Sequence, residues 1–354
     1  MNISIFASIW CQNLWDELIL KNEIELLREE FGTGTLEVPV PINFKVASYD
    51  PKNPVFEIHN TQYFEYFPIA SKKLKNIFRN IKNFIVFLRV IIWSDIVVIG
   101  WWGIIYDSEV QSVGNPLNQW LFRVRVARFF RKKIYFYALW IDIKQEANLS
   151  VLKNIFKKAY KITLRDTKSE EILKNIWISP ELVDDPVMSE NSQKWTILTS
   201  LTSRDFSLTE LSHIDFMWKE VGLALRSGYI GKSRKSQIEK LLISELCLHI
   251  ENHWGKIVFL PHSFHQGDSL VNDFVFLQEF VREWREIKQS LQEVYEWYVE
   301  NISPDSSESR LEVGKIIISM RLHSIILAYV YGIPQAILSY SQKTDEVIKK
   351  ISSS

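Results

Sequence analysis

Cysteine is nearly absent. Cys11 and Cys247 are the only two in 354 residues, they lie far apart, and neither sits in a CxxC spacing. That argues against a disulfide scaffold or a cysteine-rich zinc site and fits a reducing cytoplasm. An excess of either charge is missing too: Lys+Arg and Asp+Glu both count 42, giving a net charge of zero. The basic surplus that marks a nucleic-acid binder is therefore lacking, and no nucleic-acid partner is expected. The opening Asn2-Ile3-Ser4-Ile5-Phe6 has neither the basic start nor the long apolar run of a secretion signal. One stretch, Phe84 to Ile105, is apolar enough to resemble a membrane span, but it contains Arg89 and Asp95. Each such charge costs roughly 2.5–3.5 kcal/mol at a bilayer centre, and Gly100 and Gly103 weaken a helix further. It reads instead as a helix end, a turn at Ser94-Asp95 and a buried strand. Internal repeats, low-complexity segments and an Asp-x-Asp motif are absent. In His249-Ile-Glu-Asn-His253 the glutamate that a zincin needs directly after its first histidine is replaced by isoleucine. Neither a metal nor a cofactor is expected.

What is present is an ordinary globular composition, 47% hydrophobic and 24% charged, with 13 tryptophans. The length suggests two domains, and a polar stretch from Pro180 to Gln193 suggests a boundary, giving domains of 1–188 and 189–354. Strands and helices alternate. In the first domain, strands are expected at Ile3–Ile9, Ile96–Ile99 (ending in a Gly100-Trp101-Trp102-Gly103 turn), Lys133–Leu139 and Ala159–Leu164. Helices are expected at Asp16–Phe31, Gln119–Arg131 and Thr167–Asn175, the last with a Thr167/Glu170 capping box. In the second, strands are expected at Trp195–Leu201, Lys256–Leu260, Lys315–Ser319 and Gln335–Leu338. Helices are expected at Leu208–Arg226, Lys235–Asn252 and Leu322–Tyr331. The fold class is α/β: two Rossmann-like doubly wound domains facing across a cleft, with ligands beyond the carboxyl ends of the strands.

That rule selects the candidate residues. Lys315-Ile-Ile-Ile-Ser-Met-Arg-Leu-His-Ser324 is a strand running directly into a helix that Gly332 and Pro334 end. Arg321 and His323 then sit at a helix N-terminus, where free amides and the dipole favour an anion. The arginine adds a fork for carboxylate or phosphate, and the histidine a transferable proton. The plainer reading pairs Arg321 with a structural acid and makes His323 a core residue. Arg165, after Thr163-Leu164, repeats the pattern as a second anion clamp, and Asp166 behind it is a candidate helix cap. Asp16, after Gln12-Asn13-Leu14-Trp15, is either a base for a substrate hydroxyl or an acid complementing a helix dipole. His262, after Leu260-Pro261, and Asp268 are placed to line the cleft. A basic helix with Arg123, Arg125, Arg128, Arg131, Lys132 and Lys133 offers either a solvated face or a contact with an anionic membrane.

Taken together and in order, these segments resemble the polysaccharide pyruvyl transferase family. Asn13-Leu-Trp-Asp-Glu17 resembles its opening Asn-x-Gly-Asp-Glu. Asp95 to Gly103 resembles its strand and glycine-rich turn, Leu164-Arg165-Asp166 with Ser169 its Arg-Asp-x-x-Ser, and Asp185-Pro186 its Asp-Pro pair. Val258 to His262 resembles its strand ending in Pro-His. The most specific match is Met320-Arg-Leu-His-Ser-Ile-Ile-Leu-Ala328, followed by Gly332-Ile-Pro334, Tyr340 and Lys343. The resemblance implies a GT-B-like arrangement of two Rossmann-like domains. It also implies transfer of a carboxyvinyl unit from phosphoenolpyruvate to two hydroxyls of one sugar, forming a pyruvate ketal and releasing phosphate. Arg321, Leu322, His323 and Ser324 would hold the donor with Arg165, and His323 would be the acid and Asp16 the base. Asn13, Trp15, Gly100, Trp101, Trp102, Gly103, His262, Asp268, Tyr340 and Lys343 would line the acceptor side. The acceptor would be a cell-surface polysaccharide or its lipid-linked precursor, met at the inner face of the membrane. Two departures stand out: Trp15 replaces the family's glycine, and the glycine-rich turn is reduced to Gly100 and Gly103 around two tryptophans that offer stacking faces to a sugar. The alternatives are a GT-B glycosyltransferase using a nucleotide sugar and a non-catalytic sugar-binding relative.

Overall fold

The computed structural model describes residues 1–7, 9, 13–32, 40–49, 51, 54, 56–67, 75–107, 116–189, 199–202, 220–225, 248, 256–264, 272–280, 286–299, 315–333, 335–339 and 342–353. The chain divides into two units. One comprises Met1–Cys11 with Asp16–Pro186, and the other Gln12–Trp15 with Val187–Ser354.

In the first unit the strands are β1 (Asn2–Phe6), β2 (Asn43–Ser48), β3 (Thr61–Glu65), β4 (Ile96–Tyr106), β5 (Lys133–Asp142), β6 (Lys161–Leu164) and β7 (Glu181–Leu182). They form a parallel sheet in the order β3-β2-β1-β4-β5-β6-β7. The order reverses between β1 and β4, the switch point of a doubly wound fold. The helices are α1 (Leu14–Gly32), α2 (Lys75–Trp93), α3 (Pro116–Phe129), α4 (Leu149–Phe156) and α5 (Thr167–Lys174). Right-handed crossovers send α2 and α3 to the face opposite α1. There Phe87, Val90 and Ile91 of α2 join Leu117, Trp120 and Val124 of α3 over Val97, Ile99, Ile134 and Phe136. As expected from the charges, Phe84–Ile105 is not a span: α2 ends at Trp93 and β4 begins at Ile96, with Asp95 Oδ2 accepting from the Asn2 amide at 2.8 Å.

The Gly100–Gly103 segment was expected as a turn, but it is strand: β4 continues to Tyr106, and Gly100 pairs with Tyr137. The glycine leaves room for a neighbouring side chain and makes no turn. A Cβ on Gly100 would meet Glu23 Oε1 at 2.8 Å. Glu23 is fully buried, and burial raises its carboxyl well above the ordinary range, which favours the neutral form.

The second unit holds β8 (Thr199–Thr202), β9 (Glu220–Ala224), β10 (Lys256–Phe259), β11 (Glu286–Ile287), β12 (Lys315–Ser319) and β13 (Gln335–Ser339). They form another parallel sheet, ordered β11-β10-β9-β12-β13-β8. Its order reverses between β9 and β12. Its helices include α6 (Asp273–Phe280), α7 (Leu291–Val299), α8 (Leu322–Val330) and α9 (Gln342–Ser353). A helix was expected through Leu208–Arg226, but residues 220–224 are the central strand β9. Val221, Leu223, Ala224 and Leu225 are all buried, and a strand covered on both faces shows no alternation to separate it from a helix. The rest of that expected helix, and nearly all of the one expected at 235–252, lies outside the described residues.

Candidate functional site

The carboxyl end of β12 lies at the switch point of the second sheet. Ile316, Ile317 and Ile318 are buried, so the strand is fixed by apolar packing on both faces. The Met320 amide then donates to Ala224 O of the neighbouring strand at 3.0 Å. Arg321 follows in extended conformation (φ −82°, ψ 123°) as the N-cap of α8, and its side chain makes no cap hydrogen bond. At the other end Gly332 takes the left-handed φ of 67°, which closes α8 as its sequence suggests.

Arg321 is bonded through one amine to Asp273 Oδ1, at the start of α6. Asp273 is fully buried, and its second oxygen accepts from the His262 amide at 3.2 Å. Arg321 Nε is also buried and has no hydrogen-bond partner among the described residues. The guanidinium is thus anchored at one corner and retains an unused donor. This anchor is the structural acid of the plainer reading. It was not legible beforehand because Asp273 lies 48 residues away in sequence and looks like any acid in a first helical turn.

Next to it runs a buried hydrogen-bonded chain. His262 Nδ1 contacts Leu260 O at 2.8 Å and Nε2 contacts the Tyr298 hydroxyl at 3.0 Å, which in turn lies 2.7 Å from Ser324 Oγ. A carbonyl only accepts, so Nδ1 carries the ring proton. Tyr298 then donates to Nε2, and Ser324 donates to Tyr298. Burial first, and the Arg321 charge second, lower the His262 pKa to about 4. His262 was expected to line the cleft. It is instead an interior residue with both ring nitrogens engaged, and through Tyr298 it fixes Ser324 in the first turn of α8. Tyr298, on α7, was not foreseen.

His323 is buried, and its imidazole stacks on the Trp15 indole with centroids 4.4 Å apart and planes 7° from parallel. Trp15 belongs to the short segment 12–15 that packs with this unit. There Asn13 bridges Ser263, and the Leu14 amide donates to His262 O at 3.3 Å. Trp15 was expected to line the acceptor side. It is only 2% exposed and has the histidine on it, so it fixes the imidazole plane instead. Aromatic packing of this type contributes ~0.5–1.5 kcal/mol beyond area.

In the first unit, Arg165 follows β6 and binds Asp185 at 2.9 Å. Asp166 caps α5: Oδ1 accepts the Ser169 amide at 2.8 Å and Oδ2 the Ser169 hydroxyl at 2.6 Å. Of the two caps the sequence offers, the structure uses Asp166, paired with Ser169, and not the Thr167/Glu170 capping box. Aspartate fills the cap because its carboxylate reaches the third amide, and Thr167 is already helical. Ser169 Oγ also accepts from the Ile141 amide at 2.8 Å, tying α5 to β5. Asp16 is buried in the first turn of α1, in the first unit. Asp268, Tyr340, His249, His253 and His265 lie outside the described residues, as do the side chains of Trp101, Trp102 and Lys343.

Comparison with known proteins gives three results. Residues 16–342 match the polysaccharide pyruvyl transferase family. No curated protein matches the chain significantly. Among solved structures, the chain is similar to the UDP-GlcNAc 2-epimerase of Methanocaldococcus jannaschii at 12% identity and TM-score 0.47, covering 99% of this chain and 87% of that one. It is also similar to the lipopolysaccharide outer core galactosyltransferase WaaB in its apo form, at 12% identity and TM-score 0.44 over 100% and 90% of the two chains. Matched from Asp16 to Gln342, a range that includes Arg165, His262 and the Arg321–Ser324 helix start, this chain belongs to the polysaccharide pyruvyl transferase family.

Proposed function

We propose that the protein transfers the pyruvate unit of phosphoenolpyruvate onto a sugar of a cell-surface polysaccharide or its lipid-linked precursor, forming a ketal and releasing phosphate. One observation carries this reading. The start of α8, without a side-chain cap among the described residues, presents an arginine anchored at one amine, with a buried Nε that has no partner among those residues, two residues before a plane-locked histidine. A small dianion with adjacent carboxylate and phosphate suits such a seat, because helix amides and a guanidinium fork bind it together.

In this reading, His323 as imidazolium gives its proton to the methylene carbon of the donor. The enol carbon becomes oxocarbenium-like, and one sugar hydroxyl adds to it and loses its proton. Loss of phosphate regenerates the cationic centre, and the second hydroxyl adds and also loses a proton. Arg321 offsets charge on the departing phosphate, and Asp16 is the candidate acceptor of a hydroxyl proton. No cofactor enters this sequence.

The test is phosphate release. Incubation with phosphoenolpyruvate and candidate glycans should liberate phosphate only when an acceptor is present. Background release with every glycan would remove the proposal. A nucleotide-sugar glycosyltransferase, the second reading, is favoured by the doubly wound sheets alone. It requires thermal stabilisation by a nucleoside diphosphate and none by phosphoenolpyruvate.

A further inference from the structure

The face that α2 and α3 turn away from their sheet is apolar where a solvated helix face would be polar. On α2, Phe78 is 79% exposed, and Ile81, Ile85 and Ile92 lie between 45% and 53%. Their spacing of three, four and seven residues places them in one stripe. On α3, Phe122 is 42% exposed and, two turns on, Phe129 is 80% exposed. The two helices are neighbours. The Phe122 ring lies 6.3 Å from both Phe84 and Phe87, and Lys132 Nζ donates to Ile92 O at 2.7 Å.

The charge carried by these two helices has one sign. Neither Lys75–Trp93 nor the stretch 116–133 contains an aspartate or glutamate, in a chain with 42 acids overall. Lys82 and Arg89 are exposed beside the stripe on α2, and Arg125 is exposed on α3. Two other arginines of α3 are used internally. Arg123 is buried over the Tyr66 and Trp120 rings and donates to Phe67 O. Arg128 donates to Asn154 O and Ile155 O at the end of α4, each at 2.7 Å. The two helices thus contribute large apolar side chains with lysine and arginine to this face; among the described residues Glu65 approaches α2, and it is paired with Arg79.

We propose that this α2–α3 face docks on an anionic lipid surface. Its phenylalanines and isoleucines would enter the headgroup–acyl boundary, with Lys82, Arg89 and Arg125 against lipid phosphates. A second copy of the chain fits less well, because a two-fold interface through this patch would set its cations against one another. The contact is peripheral: none of the described helices is long and apolar enough to cross a membrane. Nothing in it depends on the donor reading.

The experiment is sedimentation with vesicles, using the full chain. Wild type should bind an equimolar phosphatidylcholine–phosphatidylglycerol mixture and leave pure phosphatidylcholine vesicles largely unbound. The pair Phe78→Ser with Phe129→Ser should weaken binding about tenfold or more, as should the pair Lys82→Glu with Arg89→Glu. All four positions are exposed, so both variants should keep the wild-type melting temperature. Absence of binding to the mixed vesicles overturns the proposal, and so does binding that both variants retain. A dimer seen by light scattering that either variant dissolves, with no vesicle binding, also overturns it and assigns the face to a second copy.

Discussion

Arg165 and Arg321 come from the same sequence pattern, a buried strand followed by an arginine and a helix start, yet the two helix ends differ. After Arg165 the next residue is Asp166, whose carboxylate caps α5 at 2.8 Å. After Arg321 the next residue is Leu322, and the Arg321 side chain makes no cap hydrogen bond. Both arginines bind an aspartate, but Asp185 is 11% exposed at its side chain and Asp273 is 0% exposed. The positive end of the first helix is therefore already answered by an aspartate cap, whereas the N-cap residue of the second makes no side-chain cap hydrogen bond. An arginine after a strand does not by itself make an anion site. The residue behind it decides whether the helix start is filled.

The contrast can be broken by mutation, and the largest effect should be on turnover. His323→Ala should lower phosphate release with an acceptor by ~10²–10⁴-fold, the usual share of acid–base catalysis, while Asp166→Ala should leave release near wild type. A comparable loss in both variants would erase the distinction between the two helix starts.

Stability comes next. Arg321→Met leaves the buried Asp273 carboxylate without its guanidinium and should cost ~3–5 kcal/mol in urea unfolding. Arg165→Met, whose partner retains some contact with water, should cost about 1 kcal/mol.

Acid should then act on the two units in opposite directions. His262 has its folded pKa lowered to about 4 from 6.5, so the native state binds fewer protons than the unfolded chain in that window. Its contribution, about 3 kcal/mol from 1.36 kcal/mol per unit, is present above pH 6.5 and lost as pH falls toward 4. Glu23 has its pKa raised by burial, so its contribution is present at low pH and is lost as pH rises above its unfolded value near 4.5. Acidification from 6.5 toward 4.5 should therefore favour the first unit and weaken the second. His262→Gln should flatten the acid limb of the second transition in calorimetry, and Glu23→Gln should flatten the alkaline dependence of the first.

The smallest effect is local. Asp166→Ala should cost ~1 kcal/mol as a lost helix cap and destabilise only the first unit.

How far all this was legible depends on the range of the interactions. The β12–α8 turn could be read from the single stretch Lys315–Gly332, because three isoleucines, an arginine, a helical run and Gly332 each act locally. The capping of α5 was legible as two alternatives, Asp166 or a Thr167/Glu170 box, of which the structure takes the first. Asp273 and Tyr298 were not, since they meet Arg321 and Ser324 only through the fold. Gly100 was misread for a related reason. Its glycine answers a carboxyl on α1, and a sequence shows a glycine without showing what approaches it. Strand β9 was read as helix because complete burial removes the alternation that identifies strands.

The most direct test is calorimetric titration of phosphoenolpyruvate into the wild type, Arg321→Lys and Arg165→Lys. Lysine keeps the charge beside each aspartate but loses the fork. An anion seat at the start of α8 predicts saturable binding by the wild type and the Arg165 variant, and binding weakened at least tenfold by Arg321→Lys. Equal affinity in all three, or no heat from the wild type, would contradict it.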